Sequence, residues 1–195
     1  MRLNPRRIPG CWDDGFALDV HTTASEFLGH DEYGNPQFET TRSEIGELVY
    51  QLKYRNDRSA LGPIASAVCD FVRRWRPGID LIVSAPPSRQ RPVQPLFELA
   101  EAVGKLLGLP VDLRSVRKVA ETPELKNVYE YSKRLELLEG AHAIEGAALR
   151  GRRVLLLDDL YRSGATLNTV ARLMKETGGA AAVFVLTLTR TRTST

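Results

Sequence analysis

Three stretches of the chain are apolar with little interruption: Ile79 to Ala85, Val154 to Leu157 and Ala180 to Leu188. Runs of this length read as strands buried on both faces, the pattern of a parallel sheet with helices packed on either side. Between them the apolar positions fall at helical spacing. Leu96, Leu99, Ala100, Val103 and Leu106 predict a helix over Pro95–Leu107, closed by Gly108, and Pro110 to Val116 supplies a further strand. Leu167, Val170, Ala171, Leu173 and Met174 predict a helix running to about Thr177, turned by Gly178-Gly179. Upstream, Thr41 and Glu44 have capping-box spacing ahead of Ile45, Leu48, Val49 and Leu52. A longer helix from about Ser59 to Trp75 buries Leu61, Ile64, Ala65, Val68, Phe71, Val72 and Trp75, with Pro63 near its first turn and Pro77-Gly78 ending it.

The N-terminal part follows a different rhythm. Residues 1–14 hold Pro5, Pro9 and Gly10 and read as an irregular lead-in, after which Phe16, Leu18 and Val20 alternate with Ala17, Asp19 and His21 as in a half-buried strand. A second extended piece, Gln37 to Thr40, is expected to pair with it as a β-ribbon over the core. The tail from Thr189 is polar and expected to fray. The order strand, helix, strand, long loop, strand, helix, strand predicts an α/β fold, a doubly wound and mainly parallel sheet with right-handed crossovers. The predicted organisation is a lead-in and ribbon over 1–42 and the sheet domain over 43–195.

With 195 residues, 43% of them hydrophobic, the chain suits one domain with a real core and a small appendage. The formal charge of +3 suits an anionic small molecule and does not by itself establish nucleic-acid binding. Arg2, Arg6 and Arg7 precede no apolar leader segment and no apolar run approaches a membrane span, so a cytoplasmic protein without membrane association is expected. Cys11 and Cys69 cannot build a four-cysteine zinc ribbon, and His21, His30 and His142 lack metal-ligand spacing.

The chemistry concentrates between Arg152 and Leu167. The buried strand ends in Asp158-Asp159, and in an open α/β sheet the carboxyl ends of the strands are where ligands sit. Arg162-Ser163-Gly164-Ala165-Thr166 then opens a helix, which gathers backbone amides, two hydroxyls and a helix N-terminus into a concavity suited to phosphate. A plain helix cap after a plain strand end is the alternative. A Walker-type ATPase is excluded, because Gly-x-x-x-x-Gly-Lys-Ser/Thr is missing.

This stretch resembles the phosphoribosyl pyrophosphate (PRPP) signature of the type I phosphoribosyltransferases, an apolar run, Asp/Glu-Asp, two spacers and Thr-Thr-Gly-x-Thr. Ser163, Gly164 and Thr166 match it and Arg162 departs from it. In purine-salvage members the position of Arg162 holds an aspartate that accepts a proton from the base, which a guanidinium cannot do, so the resemblance implies a non-oxopurine acceptor. It further implies that Arg162, Ser163, Gly164, Ala165 and Thr166 hold the 5′-phosphate. Asp158 and Asp159 act as catalytic carboxylates on the ribose hydroxyls, directly or through Mg²⁺.

Pro86-Pro87-Ser88-Arg89-Gln90-Arg91 leaves a central strand at the same edge of the sheet. Its family counterpart holds pyrophosphate, for which Arg89 and Arg91 are candidates, with solvated surface charge as the even alternative. Glu121-Thr122-Pro123-Glu124-Leu125-Lys126, with Lys133-Arg134 and Gly140-Ala141, resembles the lid of the ComF-type members, the competence-protein-F relatives, and Leu52-Lys53-Tyr54-Arg55-x-Asp57 resembles their Leu-Lys-Tyr segment. Lys126 is the candidate to close over the pyrophosphate as a catalytic lid residue. Lys53 and Arg55 are expected to face solvent or to pack their stems rather than touch ligand. The implied activity is PRPP-dependent phosphoribosyl transfer. The alternatives are a non-catalytic accessory of DNA uptake that meets single-stranded DNA or a competence helicase, and a PRPP-sensing regulator; a homodimer stays open.

Overall fold

The computed structural model describes residues 1–87, 92–120, 130, 132–133, 138 and 140–192. A six-stranded sheet lies at its centre, in the order β1 (Arg6–Arg7), β2 (Asp14–Val20), β10 (Ala182–Arg190), β9 (Arg153–Tyr161), β5 (Leu81–Ser84) and β6 (Val111–Asp112). All but β1 run parallel to their neighbours. Neighbouring residues of a strand face opposite sides of a sheet. Leu155 and Leu157 of β9 and Leu186 of β10 therefore pack with Ile45 of α1 (Glu44–Tyr50), Ile64 of α2 (Leu61–Trp75) and Leu99 of α3 (Pro95–Leu107). Val154, Leu156, Val183 and Val185 face the other way, onto Leu167, Val170 and Met174 of α4 (Ala165–Glu176). Val154 to Leu157 have no exposed surface, as a strand covered on both faces requires. The doubly wound, mainly parallel α/β fold expected from the apolar rhythm is the fold observed.

The N-terminal segment departs from expectation. Strand β2 does not form a ribbon with residues 37–40. It joins the main sheet parallel to β10, with Leu186 opposite Phe16 and Thr187 opposite Ala17. Alternation predicted one wet face, yet Ala17 and Leu18 are both fully buried, Leu18 against the α1–α3 side and Ala17 against the α4 side. The ribbon is instead made by β3 (Thr22–His30) and β4 (Pro36–Arg42), paired antiparallel with Phe27 opposite Phe38. The mixed, mostly polar sequence of residues 22–30 carries no strand signal, since this strand buries almost nothing.

Smaller corrections concern element ends. The cap of α1 is Ser43, not Thr41: its Oγ accepts from the Gly46 amide at 3.0 Å and donates to the Val20 carbonyl at 2.5 Å. The strand expected over 110–116 is shortened to β6. Val116–Lys118 (β7) forms a separate hairpin with His142–Ile144 (β8), so part of the long loop is built structure. Strand β10 runs to Arg190, and Thr189, expected in a frayed tail, is fully buried. Both cysteines are free.

His142 sits directly opposite Lys118 in the hairpin, is buried, and its Nδ1 meets no hydrogen-bond partner among the described residues. Burial first, and Lys118 second, pull its pKa from 6.5 to about 4. Between those values the unfolded chain binds a proton that the folded ring refuses, so stability falls as pH drops through that window. In urea titrations, the wild type is expected to lose about 2 kcal/mol more than His142→Leu on going from about pH 7 to about pH 5; equal losses would contradict this.

Candidate functional site

Strand β9 does not stop at its acid pair. It continues to Tyr161 alongside β10, with Thr187 opposite Asp158 and Arg190 opposite Tyr161. On the other side β5 ends at Ser84, opposite Leu157, and the last bond across is Ala85 N–H to the Leu157 carbonyl at 2.8 Å. From Asp158 onward, one edge of β9 has no strand beside it among the described residues. That opening, at the carboxyl end of a parallel sheet and rimmed by Ala85, Pro86 and Pro87, is where such folds admit ligands.

The two carboxylates meet different surroundings. Asp159 pairs with Lys53, Nζ lying 2.5 Å from Oδ2, and each side chain retains only about a quarter of its surface, 28% for Lys53 and 24% for Asp159. Asp158 accepts the Asp159 amide on Oδ1 at 2.8 Å. Burial, reinforced by the neighbouring Asp159 charge, pushes the Asp158 carboxyl up to about 7, against the pull of that amide and of Lys53. Burial also works to lower the Lys53 pKa, but the Asp159 carboxylate outweighs it and holds the ammonium above its ordinary value. Behind the pair, Thr189 Oγ1 donates to the Asp159 carbonyl at 3.1 Å and lies 3.2 Å from His21 Nδ1. Burial, then the Arg42 charge, keeps the His21 pKa below normal.

Lys53 does more than face solvent or pack its stem, since its ammonium turns inward to Asp159, whereas Arg55 is exposed as expected. Helix α1 runs into a π turn over Gln51–Arg55, ended by Asn56 in a left-handed conformation. Such turns reorient single side chains and recur at functional sites. Here Leu52 is held in the core and the lysine beside it turns to the sheet. The signal was present in the sequence: Lys53 stands four residues after Val49, on the apolar stripe, and a lysine there needs an anion.

The phosphate-type turn follows β9 directly. Arg162 is exposed, Ser163 and Thr166 are half-buried, and Gly164 and Ala165 are buried. Gly164 occupies the N-cap of α4 with φ +75° and supplies no side-chain cap. Ser163 Oγ accepts from the Ala165 amide at a long 3.5 Å. The amides of Ser163, Gly164 and Thr166 meet no acceptor among the described residues. They converge with the positive end of the α4 dipole, an arrangement suited to an anion.

The lead-in, expected to be irregular, is built onto this turn. Trp12 is buried, donates from Nε1 to the Ile8 carbonyl at 3.0 Å, and meets the Tyr161 ring edge-on at 6.4 Å. Tyr161 donates to the Pro9 carbonyl at 3.2 Å. Asn168 of α4 accepts from the Cys11 amide at 2.8 Å and donates to the Gly164 carbonyl at 3.0 Å. Lys175 closes the strap from the same helix, donating to the Cys11 carbonyl and pairing with Asp13 at 2.9 Å. A buried tryptophan in a proline- and glycine-rich segment was the available hint. The pyrophosphate candidates Arg89 and Arg91 and the lid candidate Lys126 lie outside the described residues.

No protein-family model matches the chain. Among curated proteins it is similar to the adenine phosphoribosyltransferase of Mycobacterium marinum, with 32% identity over 140 residues covering 70% of this chain and 69% of that protein. It is also similar to competence protein ComFC of Bacillus subtilis, with 28% identity over 152 residues covering 77% and 62%. The chain spans about half to two thirds of the length of the curated relatives it matches. A solved adenine phosphoribosyltransferase from Saccharomyces cerevisiae aligns with 85% of this chain and 84% of its own at 18% identity and a TM-score of 0.47.

Gly164 is fixed by two independent constraints. Its φ disfavours any side chain, and a Cβ there would lie 2.8 Å from Tyr161 Cε2. Gly164→Ala is expected to cost about 1–3 kcal/mol in urea denaturation. In a Tyr161→Ala background the cost should shrink, with the backbone part of about 1 kcal/mol remaining. A cost that is unchanged would show that the ring does not press on the turn.

Proposed function

Because this chain belongs to the type I phosphoribosyltransferase family, we propose that it binds PRPP as its magnesium salt. It transfers the phosphoribosyl group to an acceptor other than an oxopurine and releases pyrophosphate. The observation that carries this reading is the meeting, at one open strand end, of an acid pair with an uncapped helix N-terminus. The two halves suit the two ends of one sugar phosphate. The amides and hydroxyls from Ser163 to Thr166 take the 5′-phosphate, and Arg162, exposed beside them, adds charge at the rim. Asp159, paired with Lys53, accepts from ribose hydroxyls, and Asp158 supports the same ring from the adjoining position. Positive charge that develops on the ribose as the bond at carbon 1 breaks is offset by these carboxylates. Arg89, Arg91 and Lys126 are assigned to the diphosphate on the sequence resemblance alone.

Adenine is the first acceptor to test, since relatives 32% identical over 140 residues and 42% identical over 98 are named for it. A guanidinium at position 162 does not exclude it. The second reading follows from the likeness to a competence protein: the PRPP fold serves DNA uptake without turnover, as an accessory to single-stranded DNA or a helicase. Cytoplasmic location belongs to both readings. Among the described residues no helix is long and apolar enough to cross a membrane.

Calorimetry with PRPP and Mg²⁺ tests the shared premise. The wild type should bind, and Asp158→Asn/Asp159→Asn should lose about tenfold or more in affinity while keeping its circular dichroism spectrum. Pyrophosphate release with adenine and a panel of other bases and amines then separates transferase from sensor. Single-stranded DNA titrated at low and high salt addresses the accessory reading, which fails if low salt produces no binding.

A further inference from the structure

Two successive carboxylates at the mouth of a crevice invite a divalent cation, and the surroundings of Asp158 and Asp159 argue for a different occupant. Lys53 Nζ already lies 2.5 Å from Asp159 Oδ2, inside the range of a charge-assisted hydrogen bond. Both side chains are about three-quarters buried, with 28% and 24% of their surface exposed, so neither charge is left to water alone. The lysine is not a long side chain that happened to fold back. Its backbone is fixed by a π turn whose Leu52 is inserted in the core, and the helix before that turn is capped by Ser43 onto the Val20 carbonyl.

The acids also lack what a metal would need. Magnesium demands a nearly octahedral shell of oxygens at about 2.0–2.1 Å. Asp159 Oδ2 is already held by the Lys53 ammonium. Asp158 Oδ1 is occupied by the Asp159 amide. Among the described residues, no group of three or more histidine, cysteine or carboxylate ligands comes together anywhere. The residues present therefore do not fit a protein-held magnesium ion, in contrast to the direct or indirect Mg²⁺ ligation expected for this pair from the family resemblance.

We infer that Lys53 is a built-in cation that occupies the place of a divalent ion at Asp159 and aims that carboxylate into the crevice. The acid pair then meets ribose without a metal of its own, and magnesium enters only on the diphosphate of the substrate. What Asp159 is aimed at rests on the PRPP reading above; the exclusion of metal from the pair does not.

Manganese, used as the probe on the protein alone, tests this without any substrate. By electron paramagnetic resonance and calorimetry, the wild type and Lys53→Arg should show no saturable Mn²⁺ site. Lys53→Met, which removes the charge at nearly constant length, should gain one in the range of about 10⁻⁴–10⁻³ M, typical of weak carboxylate sites. The gained site should vanish in Lys53→Met/Asp159→Asn. Equal Mn²⁺ affinity in wild type and Lys53→Met would overturn the inference, and so would the absence of binding in both. Circular dichroism checks that Lys53→Met is folded; if it is not, Lys53→Gln is read by the same criteria. PRPP calorimetry on the wild type is run separately, so a failure to bind PRPP would remove the proposed function and leave the manganese result to stand or fall by itself.

Discussion

Carboxylates next to each other at the end of a dry strand must be compensated, and much of the architecture follows from how this is done. The four residues before Asp158 have no exposed surface, so the strand delivers its acids into a region where uncompensated charge is costly. One acid is pushed toward its protonated form by burial while it accepts its neighbour's amide, and the other is matched with an ammonium. Removing one partner of a fully buried pair costs about 3–5 kcal/mol. This pair, with about a quarter of each side chain exposed, belongs between that figure and the ~0–1 kcal/mol of a surface pair. The compensation depends on a long chain of contacts. Lys53 is placed by the π turn, the turn by α1, and α1 by its Ser43 cap and by Gly46. A side chain at Gly46 would collide with the His21 carbonyl. His21 in turn is hydrogen-bonded by its amide to the Arg190 carbonyl, which returns the chain of contacts to β10, the neighbour of β9.

What could be read from the sequence was whatever had a strong local period. The continuous apolar runs became β5, β9 and β10, and the stripes of α2, α3 and α4 face the core as their spacing requires. The Ser-Gly-Ala-Thr segment fell at the helix start expected of it, whereas β9 runs past Asp158-Asp159 to Tyr161. What failed was partner choice. Period-two alternation says that a strand has two faces, but not which strand lies beside it, so the pairing expected with 37–40 is taken instead by β10, 170 residues away in sequence. Lys53 was misplaced for a related reason. A charged residue on an apolar stripe looks like the end of the stripe unless its counter-charge, here 106 positions distant, is known to be near. The lead-in was missed because proline and glycine mark irregular backbone without telling whether it is packed.

The phosphate-type turn presents the converse problem. A helix whose first amides are left open to a ligand loses the capping interactions that usually stabilise its start. Here the missing cap is offset from outside the helix. Tyr161 braces Gly164, Asn168 ties the Gly164 carbonyl to the Cys11 amide, and Lys175 ties the last turn of α4 to Cys11 and Asp13. Asp13 continues into the sheet through two bonds with Val183, one from each amide. The strap therefore positions the turn without consuming the amides that face the opening.

The two halves of the site are thus braced by separate parts of the same N-terminal region, on opposite faces of one strand. Residues 8–13 secure the turn on the α4 face, and His21, Ser43, Gly46 and Lys53 secure Asp159 on the α1 face. Strand β2 joins them, since it leads from one brace to the other while lying in the sheet against β10. A ligand that bridges the acids and the turn would be held between elements already fixed to each other through β9 and β10. The entropy of bringing its two contact regions together is spent during folding and not during binding. That is the physical reason a segment whose sequence looks like an appendage is built into the same sheet as the site.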